Sequence, residues 1–262
     1  MGKLSIYVIN EVLDHVLKTG SFTPPTHLYI ALFDGDPSGA GTECPGTEYA
    51  RVVCDTWDAA AARKTANTSQ IDFAECETAD WGNITYIAIY DAISGGNLIG
   101  YDDIASYTVE IGDNLYIAAG DIDVEFSAGG VCNSFAASIL DHIFKTSALT
   151  IPTDLYIGVS TANPGDDNSG IAEPSGNAYA RIKQNTWNAA AAKVAENDGI
   201  VTFVQATGSW GTLTHWFMAD HLTEAGEPHI IFYGALGESA IIGNGDTLKL
   251  SDEGIDIKVD AA

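Results

Sequence analysis

The sequence predicts a mainly β protein made of two tandem β-sandwich domains, each preceded by one N-terminal α-helix. Three observations carry that reading. A motif occurs twice: Tyr-Ala-Arg, a hydrophobic residue, a short variable run, Trp, an acid or amide, and four alanines. It runs from Tyr49-Ala50-Arg51 through Trp57 to Ala62, and again from Tyr179-Ala180-Arg181 through Trp187 to Ala192. The offset is 130 residues (179 − 49) in a chain of 262, so the repeat is a whole domain and not a short-period solenoid. Each motif follows a helical apolar pattern and precedes a series of short apolar runs punctuated by Gly, Asn and Asp.

In chain order, residues 4–19 place Ile6, Ile9, Val12, Leu13, Val16 and Leu17 at helical spacing, with Gly20 as the stop and Pro24-Pro25 beyond it. The second copy gives a helix over 133–146, and Leu-Asp-His at 140–142 matches Leu-Asp-His at 13–15. A Pro-Thr pair and a buried strand follow each helix: Leu28–Phe33 in the first copy and the strand opening Leu155-Tyr156-Ile157 in the second. Then come the longest irregular segments, Asp34–Gly46 and Asn163–Gly176, rich in Gly, Pro, Ser and Asp. The motif strand follows, then a small-residue turn through the alanines. The first copy continues with strands at 69–74, 84–90, 97–101, 115–118 and 122–126. The second has its counterparts at 200–204, 213–218, 229–233, 248–250 and 255–259. Each half therefore reads as a helix and about seven or eight short strands. The boundary is placed in the small residues 127–130, giving domains 1–128 and 129–262, and so short a linker implies a fixed relation between them.

Composition excludes several classes of function. A net charge of −25, with 36 acids against 11 Lys and Arg, repels nucleic acid and anionic membrane surfaces. It fits a body solvated at high salt, or one kept soluble at high local copy number. The apolar runs are strand-length, so no membrane insertion is expected, and the N-terminal residues form neither a signal peptide nor a myristoylation site. The cysteines at 44, 54, 76 and 132 show no CxxC spacing and do not recur between copies, which reads as unpaired thiols from a reducing cytosol.

The recurring residues read as structural marks. Trp-Gly before a strand (81–82 and 210–211) supplies an aromatic plug beside a tight backbone approach. The motif arginines, Arg51 and Arg181, are expected to pair a carboxylate or carbonyls. Asp14-His15 and Asp141-His142 have no nucleophile partner in view, so a helix-to-sheet hydrogen bond is preferred over catalysis. The opening of the loop at Asp34 is similar to that of a calcium loop, but its twelfth position is Pro45 where a bidentate Glu is needed. Asp166-Asp167-Asn168 offers at most an adventitious cation site. No nucleophile elbow, P-loop or zinc helix occurs. No catalytic, cofactor-binding or metal site is expected, and the chain is read as a non-enzyme that needs no cofactor.

The arrangement Leu-Tyr-Ile-Ala-Leu-Phe (28–33), Tyr-Ala-Arg, Ala-Asp-Trp-Gly (79–82), Thr-Tyr-Ile-Ala-Ile-Tyr-Asp-Ala-Ile-Ser-Gly-Gly-Asn-Leu (85–98) and a closing Gly-Asp turn resembles a family of small tailed-bacteriophage virion proteins, commonly described as tail fibre proteins. The resemblance covers nearly all of both halves, and the second departs from it at 216–221, where aromatic bulk replaces Ile87-Ala88-Ile89-Tyr90. It implies a non-enzymatic structural protein of the virion, assembled in the host cytoplasm and acting through contacts with tail, neck or capsid proteins, with itself, or with a host surface receptor. A tail or tail-fibre position is the leading expectation. A head-decoration protein and a carbohydrate- or receptor-binding module are the alternatives. Sugar binding predicts aromatics in the two long loops, which hold no Trp, Phe or Tyr. The helix faces and the divergent pair Trp216 and Phe217 are the candidate assembly contacts, with core packing as the competing role.

Overall fold

A computed structural model describes residues 2–223 and 229–259. The first copy contains β1 (Lys3–Leu4), α1 (Ile6–Leu17), β2 (Tyr29–Asp34), β3 (Thr42–Glu43), β4 (Val52–Val53), β5 (Lys64–Ala66), β6 (Ile71–Glu75), β7 (Gly82–Tyr90), β8 (Leu98–Val109), β9 (Asn114–Ile117) and β10 (Asp123–Glu125). The second contains α2 (Asn133–Lys145), β11 (Tyr156–Ser160), β12 (Ile182–Lys183), β13 (Val194–Glu196), β14 (Val201–Thr202), β15 (Gly211–Ala219), β16 (Ile230–Ile242), β17 (Lys249–Leu250) and β18 (Asp256–Lys258). Among the described residues the fold is mainly β, with no closed barrel, and no helix is long and apolar enough to cross a membrane.

Each copy has one principal antiparallel sheet and two short ribbons. The first sheet runs β1-β8-β7-β2-β3, with β4 also on β2; the second runs β12-β11-β15-β16. The ribbons β10-β5 and β6-β9 recur as β13-β18 and β14-β17. β8 and β16 are much longer than the apolar runs that announce them, because their distal halves are polar or small and follow β7 and β15 through irregular register.

Ser5 caps α1, its hydroxyl accepting from the Val8 N–H at 3.2 Å. The helix ends on Lys18 in the left-handed region (φ 65°), two residues before the expected Gly20, and α2 ends the same way on Thr146 (φ 54°). The buried stripe of α1 is Val8, Ile9, Val12, Leu13, Val16 and Leu17; that of α2 includes Phe135, Ile139, Leu140, Ile143 and Phe144. These two stripes belong to one continuous apolar core containing residues of both copies.

The helices reach across the copies. Asp14 of α1 accepts from the Ala190 N–H at 2.7 Å, and Asp141 of α2 accepts from the Ala60 N–H at 2.8 Å. Asn10 takes the Lys193 N–H at 2.9 Å, Lys145 donates to the Trp57 carbonyl at 2.9 Å, and the Trp57 and Phe144 rings lie 4.5 Å apart. His15 and His142 stack at 5.7 Å with their planes 5° apart. The two copies are thus related by an approximate twofold, and each helix docks on the other copy's alanine turn.

Those turns are two-residue hairpins. Ala61 and Lys64 exchange both backbone hydrogen bonds, at 3.0 Å each, around Ala62 (φ 46°) and Arg63 (φ 72°). Ala191 and Val194 do the same around Ala192 (φ 51°) and Lys193 (φ 69°). Two successive positive φ angles define a type I′ turn, usually built from Asn and Gly. Here alanines permit close approach of the opposite helix at a conformational cost.

Residues 126–131, between the copies, are fastened by side chains of both. The buried Arg63 guanidinium donates to the carbonyls of Phe126, Ser127 and Val131 and lies 3.4 Å from Asp166. Asp166 also takes the Gly129 N–H at 2.9 Å and the Tyr233 hydroxyl. That carboxylate, read from sequence as an adventitious cation ligand, is a fastening for the linker.

Candidate functional site

The motif arginines are structural. Arg51 forks onto Glu43 with two hydrogen bonds of 2.8 Å, donates to the carbonyls of Ala92 and Gly95 at 2.9 and 2.7 Å, and covers the Tyr90 ring at 3.7 Å. Arg181 repeats this with Glu173 at 2.8 and 2.7 Å and the His221 carbonyl at 2.7 Å, above Phe217. The motif tyrosines complete the lock. Tyr49 donates to Glu43 at 3.1 Å and accepts from Leu32 N–H at 2.9 Å, and Tyr179 pairs with Glu173 and Val159 in the same way. Burial pushes both phenols far above their ordinary range, so neither ionises near neutrality. Glu43 and Glu173 are the partners that sequence reasoning missed. Each stands six residues before its motif tyrosine, and that shared offset is the signal that could have found them.

The other recurring polar residues are also engaged within the fold. The aspartates beside His15 and His142 anchor the opposite turns, while His15 Nδ1 accepts from Phe22 N–H at 3.2 Å and His142 Nδ1 faces the Ser147 carbonyl at 2.7 Å. The Asp34 loop closes on itself through Asp36, which accepts from the Ser38 N–H and hydroxyl at 2.8 and 2.7 Å. Trp81 and Trp210 are buried plugs, but their glycines have a different cause from the tight approach expected: Gly82 and Gly211 both take φ 85°, and no atom approaches the place where a Gly82 side chain would begin. All four cysteines are buried, and burial raises the Cys44 and Cys54 thiols to about 12.

Trp216 and Phe217 are packed inside, at 3% and 0% exposure, as core residues and not as a presented surface. The reason is compensation by glycine. Phe217 pairs across the sheet with Gly158, where an added Cβ would stand 2.1 Å from the ring, while the first copy has Ala88 against Ala31. Trp216 pairs with Gly234, where a Cβ would stand 2.8 Å from the indole; the first copy has Ile87 against Asp102.

The copies also diverge in the cleft between the long strand and the last strand. In the first copy Ile87, Ile89, Ile104 and Ile122 leave about 20 Å³. In the second, the matching cleft between β16 and β18 opens to about 510 Å³. Its walls carry Gly130, Gly234, Ala235, Gly237 and Gly254, with Trp216 at the floor and Glu253, Asp256 and Lys258 at the rim. Among the described residues, no group of His, Cys, Asp and Glu is arranged to hold a metal.

Comparison with known proteins bears on this geometry. The family model described as Podophage GP4 fiber I protein gp80 matches the chain twice, over residues 3–125 and 130–258. No curated protein matches.

Proposed function

The chain belongs to the podophage fibre I protein family, and on that premise we propose that it is a non-enzymatic, compact assembly piece of the tail fibre apparatus. One observation supports this most: the two copies are locked by reciprocal helix contacts into one body, which suits a two-lobed connector. One lobe docks on the particle while the other meets a neighbour. The repeated polar residues support the non-enzymatic reading, since Arg51, Arg181, Asp14 and Asp141 each have a fastening role. Partners are other virion proteins, and the virion is the expected location. Domains 1–128 and 129–262 are the units of the connector.

Immunogold labelling of intact particles, read by electron microscopy, tests the proposal. Label at the tail, neck or fibre is the expected result. Label over the whole head would replace it with capsid decoration, and unlabelled particles would remove the virion location altogether.

A further inference from the structure

We propose that the open cleft of the second copy receives an extended, basic peptide segment of a neighbouring virion protein, which adds as a strand to the free edge of β16. This deepens the assembly reading and rests on it. The first copy contains the precedent. There β1 adds antiparallel to the edge of β8, pairing Lys3 with Tyr101 and Leu4 with Gly100, while Gly2 bridges to Val124 of β10. In the second copy the chain begins the same track: Tyr233 N–H donates to the Gly130 carbonyl at 2.9 Å, and Val131 bridges to Phe232. The linker then turns away at Gly129 and Gly130, with φ of 96° and 81°. Beyond Tyr233 the outer edge of β16 has no ladder partner among the described residues, and the ladder of β18 is with β13.

The lining selects a peptide. Glycines and alanine leave main-chain N–H and C=O groups approachable from within the cleft, which is what strand addition uses. A sugar would need an aromatic face, and Trp216 has its indole packed on Gly234 and only 3% exposed. Glu253 and Asp256 outnumber Lys258 at the rim, Glu238 lies exposed on β16, and the chain carries −25, so the complementary segment is basic.

The test uses the full chain and a fluorescein-labelled octapeptide of alternating Thr and Val with Lys at both ends, read by anisotropy and amide exchange. Saturable binding that slows exchange at residues 234–239, and not at residues 102–107 of β8, is expected. Gly237→Trp puts a bulky side chain on the cleft wall at a position where an added Cβ meets no atom within 4 Å. It should weaken binding by about tenfold or more, the equivalent of one or two lost hydrogen bonds. Ala105→Trp on the first copy's edge should leave binding unchanged, and melting curves establish that both variants fold. Absence of binding, binding indifferent to Gly237→Trp, protection elsewhere, or competition by oligosaccharides in place of the peptide would each overturn the proposal. Gold on the tail with no peptide binding would remove the cleft assignment while leaving the assembly reading intact.

Discussion

Asp14 holds the Ala190 backbone N–H at 2.7 Å across the junction between the two copies, 176 positions away in sequence. Its counterpart Asp141 holds Ala60 at 2.8 Å. The pair makes the duplication a closed exchange, in which neither copy completes its helix packing alone. Replacing either aspartate by alanine leaves a half-buried N–H without its charged acceptor and should cost about 1–3 kcal/mol. Calorimetry of Asp14→Ala and Asp141→Ala should show one transition moving as a unit. A split into two transitions would mean that the copies unfold independently.

Arg63 predicts a larger loss. Its buried guanidinium satisfies three linker carbonyls and faces Asp166, so Arg63→Ala leaves several buried polar atoms unpaired at once. About 3 kcal/mol or more is expected. Limited proteolysis should then cut at residues 127–130, and the parent chain should resist cleavage there.

The repeat and both helices are legible in the sequence because each has a local signature. Helical spacing reveals Ile9, Val12, Leu13, Val16 and Leu17, although Ile6, read with them, is exposed and Val8 takes its place in the stripe; the need of an arginine for a carboxylate anticipates that Arg51 is paired, but not that Glu43 is the partner. The exchange is not legible, since nothing local to Asp14 tells whether it serves the alanine turn of its own copy or of the other. The cleft is hidden for a different reason. It arises from missing bulk at Gly234, Gly237 and Gly254, and absent side chains leave no periodic pattern. For Trp216 and Phe217 the sequence leaves both assembly contact and core packing open, because their compensating glycines, at 234 and 158, are distant.

Acid should loosen the junction. Burial, and then the stacked His142, hold His15 below the ordinary histidine value of 6.5. A base whose folded pKa is lowered binds its proton more readily when unfolded. Stability is therefore complete above pH 6.5 and falls as pH drops below it. Protonation of His15 also replaces the acceptor that Phe22 N–H uses at Nδ1. The melting temperature should decline from pH 7 towards pH 5, and His15→Gln should flatten that decline. An equal slope in the variant would assign the effect to other groups.

The alanine turns offer stabilisation. Ala62 and Ala192 sit at φ 46° and 51°, where a Cβ is disfavoured and glycine is not. Ala62→Gly and Ala192→Gly should each raise stability by up to about 1 kcal/mol, offset in part by the greater freedom of glycine in the unfolded chain. Denaturant midpoints of the single and double variants would reveal it, and additive gains are expected because the two turns dock on different helices. A loss in either would mean that the alanine methyl packs against the opposite helix strongly enough to outweigh its strain.

Phe217 and Gly158 supply the sharpest packing prediction. A methyl on Gly158 would stand 2.1 Å from the Phe217 ring, so Gly158→Ala forces the ring out of place and should cost about 1–3 kcal/mol. Phe217→Ala leaves a cavity beneath Arg181 and should cost about 3–5 kcal/mol. The double variant recreates the Ala31–Ala88 pair that the first copy already uses at this place. Its loss should be clearly smaller than the sum of the two, giving a favourable coupling in a double-mutant cycle. Simple additivity would show that the aromatic and the glycine are not matched, and that the second copy accommodates Phe217 by some other adjustment of β11 and β15.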